Sequence, residues 1–451
     1  MLIATLALVL LQLALAVMAP ARFIYFALWI QAIPYTWNWN AQSVFDTPIG
    51  PLNVIAMQLF GFNLACLLIV AAHFGEATSR IGNYKWHLAF IAFCLLSLGY
   101  APSAAYGIRM IMKLIGPPLF MITILAVAKE EADLQRMQQA IFGSGIVLVA
   151  LALLARAMGI NSDPNAVNTG LSGLGPPGMG PPVFSAHMLP VAMLALAAFV
   201  CEHRLSRLFL TLLSAAAIVA ALQRTSAAAL YLGVSFILFL GTRGVWRLLL
   251  PSVTLLGAPI LFLLSDTFRR RMFMGNVNSQ DLLADPAKAL GSVNSSGRFA
   301  LWDSMLQKFF RPHPIIGSGI GSTQDYLYRL SAAGRGVVHS EYVRLLCEVG
   351  AVGLILFAIA AAAYLLRLRR CTAQSESLKV RQAGLAAFGS LLAYLVFFST
   401  DNGFDYVNQF GIYVFALIAM ADKSRELAAL SPVLIAENIR PTVRALPNLM
   451  Q

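Results

Sequence analysis

The sequence predicts an all-α polytopic integral membrane protein, with about 12 transmembrane helices and one large helical loop outside the membrane. Three observations carry that expectation. Of 451 residues, 59% are hydrophobic and only 12% charged, against about a quarter charged in an ordinary soluble domain; the mean hydropathy is +0.74. Apolar windows of roughly 17–25 residues, the length that spans a bilayer, recur from one end to the other. Lys and Arg gather on one side of those windows.

Taken in order, the chain opens on "MLIATLALVLLQLALAVMAP". This stretch lacks the basic n-region of a signal peptide, and a second apolar stretch follows at once, so it reads as a retained membrane segment. Residues 1–34 form either two spans or one unit broken at Pro20. Further spans are expected near 51–74, 86–101, 103–128, 138–158, 183–200, 207–222, 225–241, 248–265, 341–366, 383–400 and 407–421. The chain then divides into an N-terminal bundle (1–265), a loop subdomain (266–340), C-terminal spans (341–421) and a tail (422–451).

A net charge of +12 would suggest nucleic acid in a soluble protein. Its placement decides otherwise. Basic residues from Arg80 and Lys85, through Arg204, Arg243 and Arg367, to Lys423 and Arg425 fall on one side, whereas the loops 35–50, 159–182 and 401–406 contain none. By the positive-inside rule the first side, with the tail, is cytoplasmic. Cys66, Cys94 and Cys347 lie inside spans, and Cys201 and Cys371 at cytoplasmic ends. No disulfide framework or CxxC metal spacing follows from them.

Residues 266–340 form one external loop with nine basic residues, too long for the charge rule to apply. Arg269, Arg270 and Arg271 open it, with the composition of a phospholipid-headgroup anchor. "SSGRFALWDSMLQKFF" reads as an amphipathic helix capped by Ser295 or Ser296, with Trp302, Met305, Leu306 and Phe309 as its apolar stripe. "HPIIGSGIGS" is a Pro/Gly turn and "TQDYLYRL" a second short helix. Without a preceding strand or a following Lys-Ser/Thr, "GSGIG" is a turn rather than a phosphate cradle. His313 reads as a loop histidine.

Cations collect at the external ends of the spans: Arg109 and Lys113 on one helix face, Arg224 in a turn, Arg298 in the loop, and His339 at the mouth of a span, with Asp401 and Asp405 nearby. Arg224 has two readings, a functional cation or an interfacial arginine reaching to headgroups. Arg109 and Lys113 lie deeper, where charge demands an anion or a carboxylate partner. Arg344 and Glu348, four residues apart, read as a structural pair.

Phosphate is the natural partner of such a cluster, because guanidinium groups bind its oxygens through charge-assisted, often bidentate hydrogen bonds. A diphosphate on a membrane lipid would sit at this depth. A nearby His, with an ordinary pKa of about 6.5, can take a proton from a hydroxyl attacking an activated sugar while the arginines stabilise the leaving diphosphate. The alternative is a His that only orients the acceptor or the diphosphate. No DxD and no His pair at ligand spacing occurs in the external loops, so no metal or other cofactor is expected.

"GRFALWDSMLQKFFRPHPIIGSGIGS", followed by "HSEYVRLLCEVGAVGLILF", resembles the signature of the bacterial O-antigen ligases and polymerases. Arg298, Leu301 and Trp302 stand where that family has an arginine opening an LW helix. Pro314, Gly317, Gly319 and Gly321 form its turn, and His339 precedes a span carrying Glu348, Gly350, Gly353 and Leu354. "QRTSAAAL" resembles its Arg-Thr segment at Arg224. His339-Ser340 replaces the family's usual His-Asn.

The resemblance implies a GT-C-like glycosyltransferase. It would transfer O-antigen polysaccharide from undecaprenyl diphosphate to lipid A–core oligosaccharide, without metal and with inversion. Its site would face the periplasm from the Gram-negative inner membrane. His339, Arg224 and Arg298 would be catalytic, with Arg109, Lys113, Arg224, Arg298 and Asp401 binding the diphosphate. An O-antigen polymerase, a protein O-oligosaccharyltransferase and, from another class, a lipid-linked sugar transporter are the rival readings. A transporter would carry charges through the whole bilayer, and apart from the outer cluster the only candidates are Arg22 and Arg156.

Overall fold

The computed structural model describes residues 2–33, 45–47, 50–52, 54–160, 172–273, 294–295, 297–330 and 336–443. Much of the Gly/Pro-rich loop after residue 160, most of the first half of the large loop, Arg335 and the last eight residues lie outside them. The helices are α1 (Leu2–Met18), α2 (Pro20–Ile30), α3 (Val54–Ala72), α4 (Phe74–Ile81), α5 (Lys85–Ser97), α6 (Ala104–Val127), α7 (Glu131–Ala157), α8 (Pro181–Glu202), α9 (Leu205–Ala220), α10 (Arg224–Gly241), α11 (Trp246–Leu264), α12 (Asp266–Met272), α13 (Arg298–Met305), α14 (Ser322–Leu330), α15 (Glu341–Gln374), α16 (Leu378–Phe397) and α17 (Ile412–Val443). Among the described residues, nine helices are long and apolar enough to cross a bilayer, and three shorter apolar ones accompany them.

One element departs from the all-α expectation. Phe45–Thr47 and Gly50–Leu52 pair as a small antiparallel hairpin, with Thr47 opposite Gly50. Only two residues separate the strands, the loop length that closes a tight hairpin.

One contact shows how α1 and α2 are arranged. Gln12 Nε2 donates to Gln31 Oε1 at 2.9 Å, although the two are 19 residues apart. In collinear helices rising about 1.5 Å per residue they would be about 28 Å apart. The chain therefore folds back at Ala19, with Pro20 opening α2, where its missing N–H is no loss.

The centre of the bundle is α8, α16 and the segment ending in α17. Their spans are 83%, 72% and 89% buried, against 33% for residues 74–100. α16 packs on α8, α10, α15 and α17. Polar side chains tie this core together: Gln31 Nε2 donates to Asn408 Oδ1 at 3.1 Å, and Gln58 Nε2 to the Gln31 carbonyl at 3.2 Å. The buried His187 ring contacts Ser144 Oγ at 3.2 Å and the Gln409 carbonyl at 3.0 Å. Such interhelical bonds are worth only about 0.6 kcal/mol each in lipid, but they specify which faces meet.

The large loop packs back on the bundle. Met305, Phe309, Leu327, Val338 and Cys347 form a second core, with Leu301, Trp302 and Leu306 against it, so the apolar stripe faces α15. Trp302 Nε1 donates to the Val338 carbonyl at 2.8 Å. The N-cap of α13 is Gly297, at φ +75°, and Ser295 gives its carbonyl to Arg298 N at 3.0 Å; Ser296 lies outside the described residues.

Candidate active site

The span that follows His339 is broken at Gly350 (φ 65°, ψ −167°), a conformation essentially restricted to glycine. A break leaves helix carbonyls and amides unpaired. The "GSGIG" turn supplies their partners. Ser318 N and Gly319 N donate to the carbonyls of Cys347 and Glu348, both at 2.9 Å, and Ala351 N and Val352 N donate to Pro314 and Ile315 at 2.9 and 3.1 Å. The fit needs bare backbone. A Cβ on Gly319 (φ +93°) would lie 2.4 Å from Ala101 Cα, and one on Gly350 2.4 Å from the Ile315 carbonyl oxygen. The motif glycines thus build a clamp between α6, the loop and α15.

Glu348 belongs to that clamp and not to Arg344, contrary to the four-residue spacing. Its carboxylate accepts Gly321 N at 2.8 Å and the Thr323 hydroxyl. Arg344, 1% exposed, instead reaches Asp405 Oδ2 at 3.0 Å and Glu341 Oε2 at 3.2 Å. Asp405 also takes Lys113 Nζ at 2.5 Å, and Glu341 Oε1 accepts Phe404 N at 2.9 Å. Two cations and two carboxylates neutralise one another, as ions this deep require. They also pin the segment after α16 to α6 and α15.

Above that network three elements meet on Thr400–Asn402. Arg298, the first residue of α13, donates Nη1 to the Thr400 carbonyl at 2.5 Å. Thr225 at the start of α10 shares a hydroxyl contact with Thr400, and its neighbour Arg224 donates Nη1 to the Asn294 carbonyl at 2.8 Å. His339 sits at φ +58°, a left-handed conformation that histidine adopts more readily than most residues. Its backbone N–H donates to Asn402 Oδ1 at 2.9 Å. Ser340 follows as the N-cap of α15, accepting Val343 N at 3.4 Å. Ser and Asn cap about equally well, which accounts for the departure from His-Asn.

The Asn402 contact has a chemical consequence. With Oδ1 taken by a backbone N–H, its amide nitrogen is what faces His339 Nδ1, at 3.3 Å. An amide nitrogen can only donate, so Nδ1 is the acceptor and the neutral ring carries its proton on Nε2. Burial, then the Arg298 and Arg344 guanidiniums, push the imidazole down to about 4, against a smaller opposing pull from Asp405. The ring is neutral at physiological pH.

The structure thus joins Arg298, His339 and Asp401 around one segment, with Arg224 adjacent through Thr225 and bonded to the Asn294 carbonyl. Asp401, 5% exposed, accepts Asn402 N at 2.8 Å and the Tyr406 hydroxyl at 3.2 Å, and burial raises its pKa. Lys113 lies in the ion network below, and Asp405 is the carboxylate partner its depth demanded. Arg109 stands apart, over the Tyr106 ring at 5.4 Å, itself against Tyr328 of α14. Sequence reasoning missed Asn402, Thr225 and Thr400. Their signal was faint: polar residues in "STDN" and "RTS", beside charges already singled out.

Residues 209–358 match the family model described as O-antigen ligase. This region is similar to that family over 150 of the 451 residues. The matched region contains Arg224, Arg298, His339 and the glycine clamp, whereas Lys113 and the 400–405 segment that complete the arrangement lie outside it. The family is associated with glycosyl transfer of the ligase or polymerase type, and the chain is a multi-pass membrane protein. No curated protein matches the chain.

Proposed function

We propose that this protein is an O-antigen ligase of the Gram-negative inner membrane, transferring O-antigen polysaccharide from undecaprenyl diphosphate to lipid A–core oligosaccharide at the periplasmic face. The observation that carries the reading is the meeting of Thr225, Arg298 and His339 on Thr400–Asn402, with Arg224 next to Thr225; all four lie in the region that matches the O-antigen ligase model. Arg298 spends one of its five N–H donors on Thr400. The guanidinium fork is suited to the oxygens of a diphosphate. An acceptor hydroxyl attacks the anomeric carbon as its bond to the diphosphate oxygen breaks, with inversion. The arginines stabilise the charge gathering on the leaving group.

The hydroxyl proton has two destinations. As a base, His339 would take it on Nε2, which requires the ring to give up the tautomer that Asn402 supports. The Asn402 contact favours a second role, in which Nε2–H donates to the diphosphate and the proton passes to a diphosphate oxygen.

The test is reconstitution of the full chain in vesicles with undecaprenyl-diphosphate-linked O-antigen and lipid A–core. Arg298→Ala is expected to slow conjugate formation by two to four decades, since losing one partner of a desolvated charge pair costs about 2–5 kcal/mol. Arg298→Lys is expected to rescue poorly, because an ammonium cannot reproduce the bidentate fork. A fully active Ala variant would reduce Arg298 to a structural tie on Thr400.

A further inference from the structure

At the end of the bundle opposite His339, α4, α15 and α17 enclose a second polar centre. Arg80 Nη2 donates to Glu426 Oε1 at 2.8 Å, and Lys423 Nζ to the same oxygen at 3.1 Å. Arg367 Nε donates to Asp422 Oδ1 at 2.7 Å, and the Tyr84 hydroxyl to Oδ2 at 2.5 Å. Beside these pairs lies a cavity of about 450 Å³, lined by the Arg80, Arg367 and Arg425 side chains with Asn83, Tyr84 and the two carboxylates. The volume is that of a ligand site. Three arginines face two carboxylates along its lining, so the cavity carries an excess of positive charge.

A smaller space of about 20 Å³ adjoins it, sharing Asn83, Tyr84 and Arg367. It has room for roughly one water. Tyr364 and His87 line it, and the Tyr364 hydroxyl and His87 Nε2 are buried without a hydrogen-bond partner among the described residues, as is Arg80 Nε at the larger cavity. Buried polar atoms are seldom left unpaired. Two orphans at the water-sized space and one, Arg80 Nε, at the cationic cavity indicate polar occupants in both. Apolar surface adjoins the polar lining: Leu125 and Ala429 line the larger cavity, and Trp86, which lines the smaller space, is exposed where acyl chains would cover it.

We propose that this cavity binds the phosphate-bearing headgroup of an anionic phospholipid and thereby braces α15 and α17 against α4. Guanidinium groups at the interface of a helix bundle recognise such headgroups. The apolar surface beside the cavity favours a lipid over free phosphate.

The test uses the delipidated full chain in detergent and its melting temperature. Phosphatidylglycerol, phosphatidylcholine and inorganic phosphate are added separately. Saturable stabilisation by phosphatidylglycerol alone is expected. Arg425→Gln, at an exposed position, is expected to shift the half-saturating lipid concentration upward about tenfold, the scale of one charge-assisted bond. Arg370→Gln, at the same end outside the cavity, is expected to leave it unchanged. Equal stabilisation by phosphatidylcholine, by inorganic phosphate, or of Arg425→Gln and the unaltered chain would overturn the proposal, as would no stabilisation at all.

Discussion

His339 is held in a left-handed turn by the backbone bond to Asn402, and this one residue governs both the ring's direction and its tautomer. The two roles open to the ring separate by pH. A base must be neutral; with its pKa pushed down to about 4, activity would be full at neutral pH and lost as pH falls through about 4. His339→Gln would then cost about 10²–10⁴ in rate and abolish that limb. A donor through Nε2–H keeps its proton on either side of the pKa, so no such limb is expected. On that reading, which the Asn402 contact favours, His339→Gln keeps substantial activity. Asn402→Ala, which frees the ring to turn and exchange tautomers, loses more. A steep acidic limb near pH 4 that vanishes in His339→Gln would restore the base. The stability linkage has its own sign. The unfolded ring protonates near its ordinary value of about 6.5, so between there and about 4 the unfolded chain holds more protons. The fold therefore loses stability as pH falls through that window.

At the scale of elements, the glycine clamp makes a sharp prediction. Gly350→Ala places a Cβ 2.4 Å from the Ile315 carbonyl oxygen in a conformation alanine rarely adopts. It is expected to destabilise by at least the ~1–3 kcal/mol of such strain, read as a lowered melting temperature together with lost transfer. Unchanged melting would show that the break in α15 is not held by the turn. These elements also mark what a sequence conveys. The helices were legible because apolar windows of bilayer length leave the backbone no alternative to the helix. The apolar stripe of α13 was legible for the same reason of local periodicity. The partner of Arg344 was not, because spacing along one helix suggests Glu348 while the third dimension supplies Asp405 from 61 residues away. Gly297 as a cap was hidden by two better capping serines beside it. The cationic site residues announced themselves by charge at the mouths of spans, but Asn402, neutral and ordinary in composition, becomes visible only through its contacts.

For the molecule as a whole, the two ends of the bundle differ in kind. One carries the His339 site over a neutralised ion network; the other carries paired cations around an open cavity. The proposed orientation puts the first end in the periplasm. A single cysteine beside Arg298, at Phe299, is expected to react with a membrane-impermeant thiol reagent in intact spheroplasts; reaction only after the membrane is permeabilised would invert the orientation. The ligase assignment meets its most direct test in the lipopolysaccharide of a strain lacking this protein. The account predicts lipid A–core bare of O-antigen, with full-length polysaccharide accumulating on undecaprenyl diphosphate; lipid A–core capped by single repeat units would contradict it and identify a polymerase.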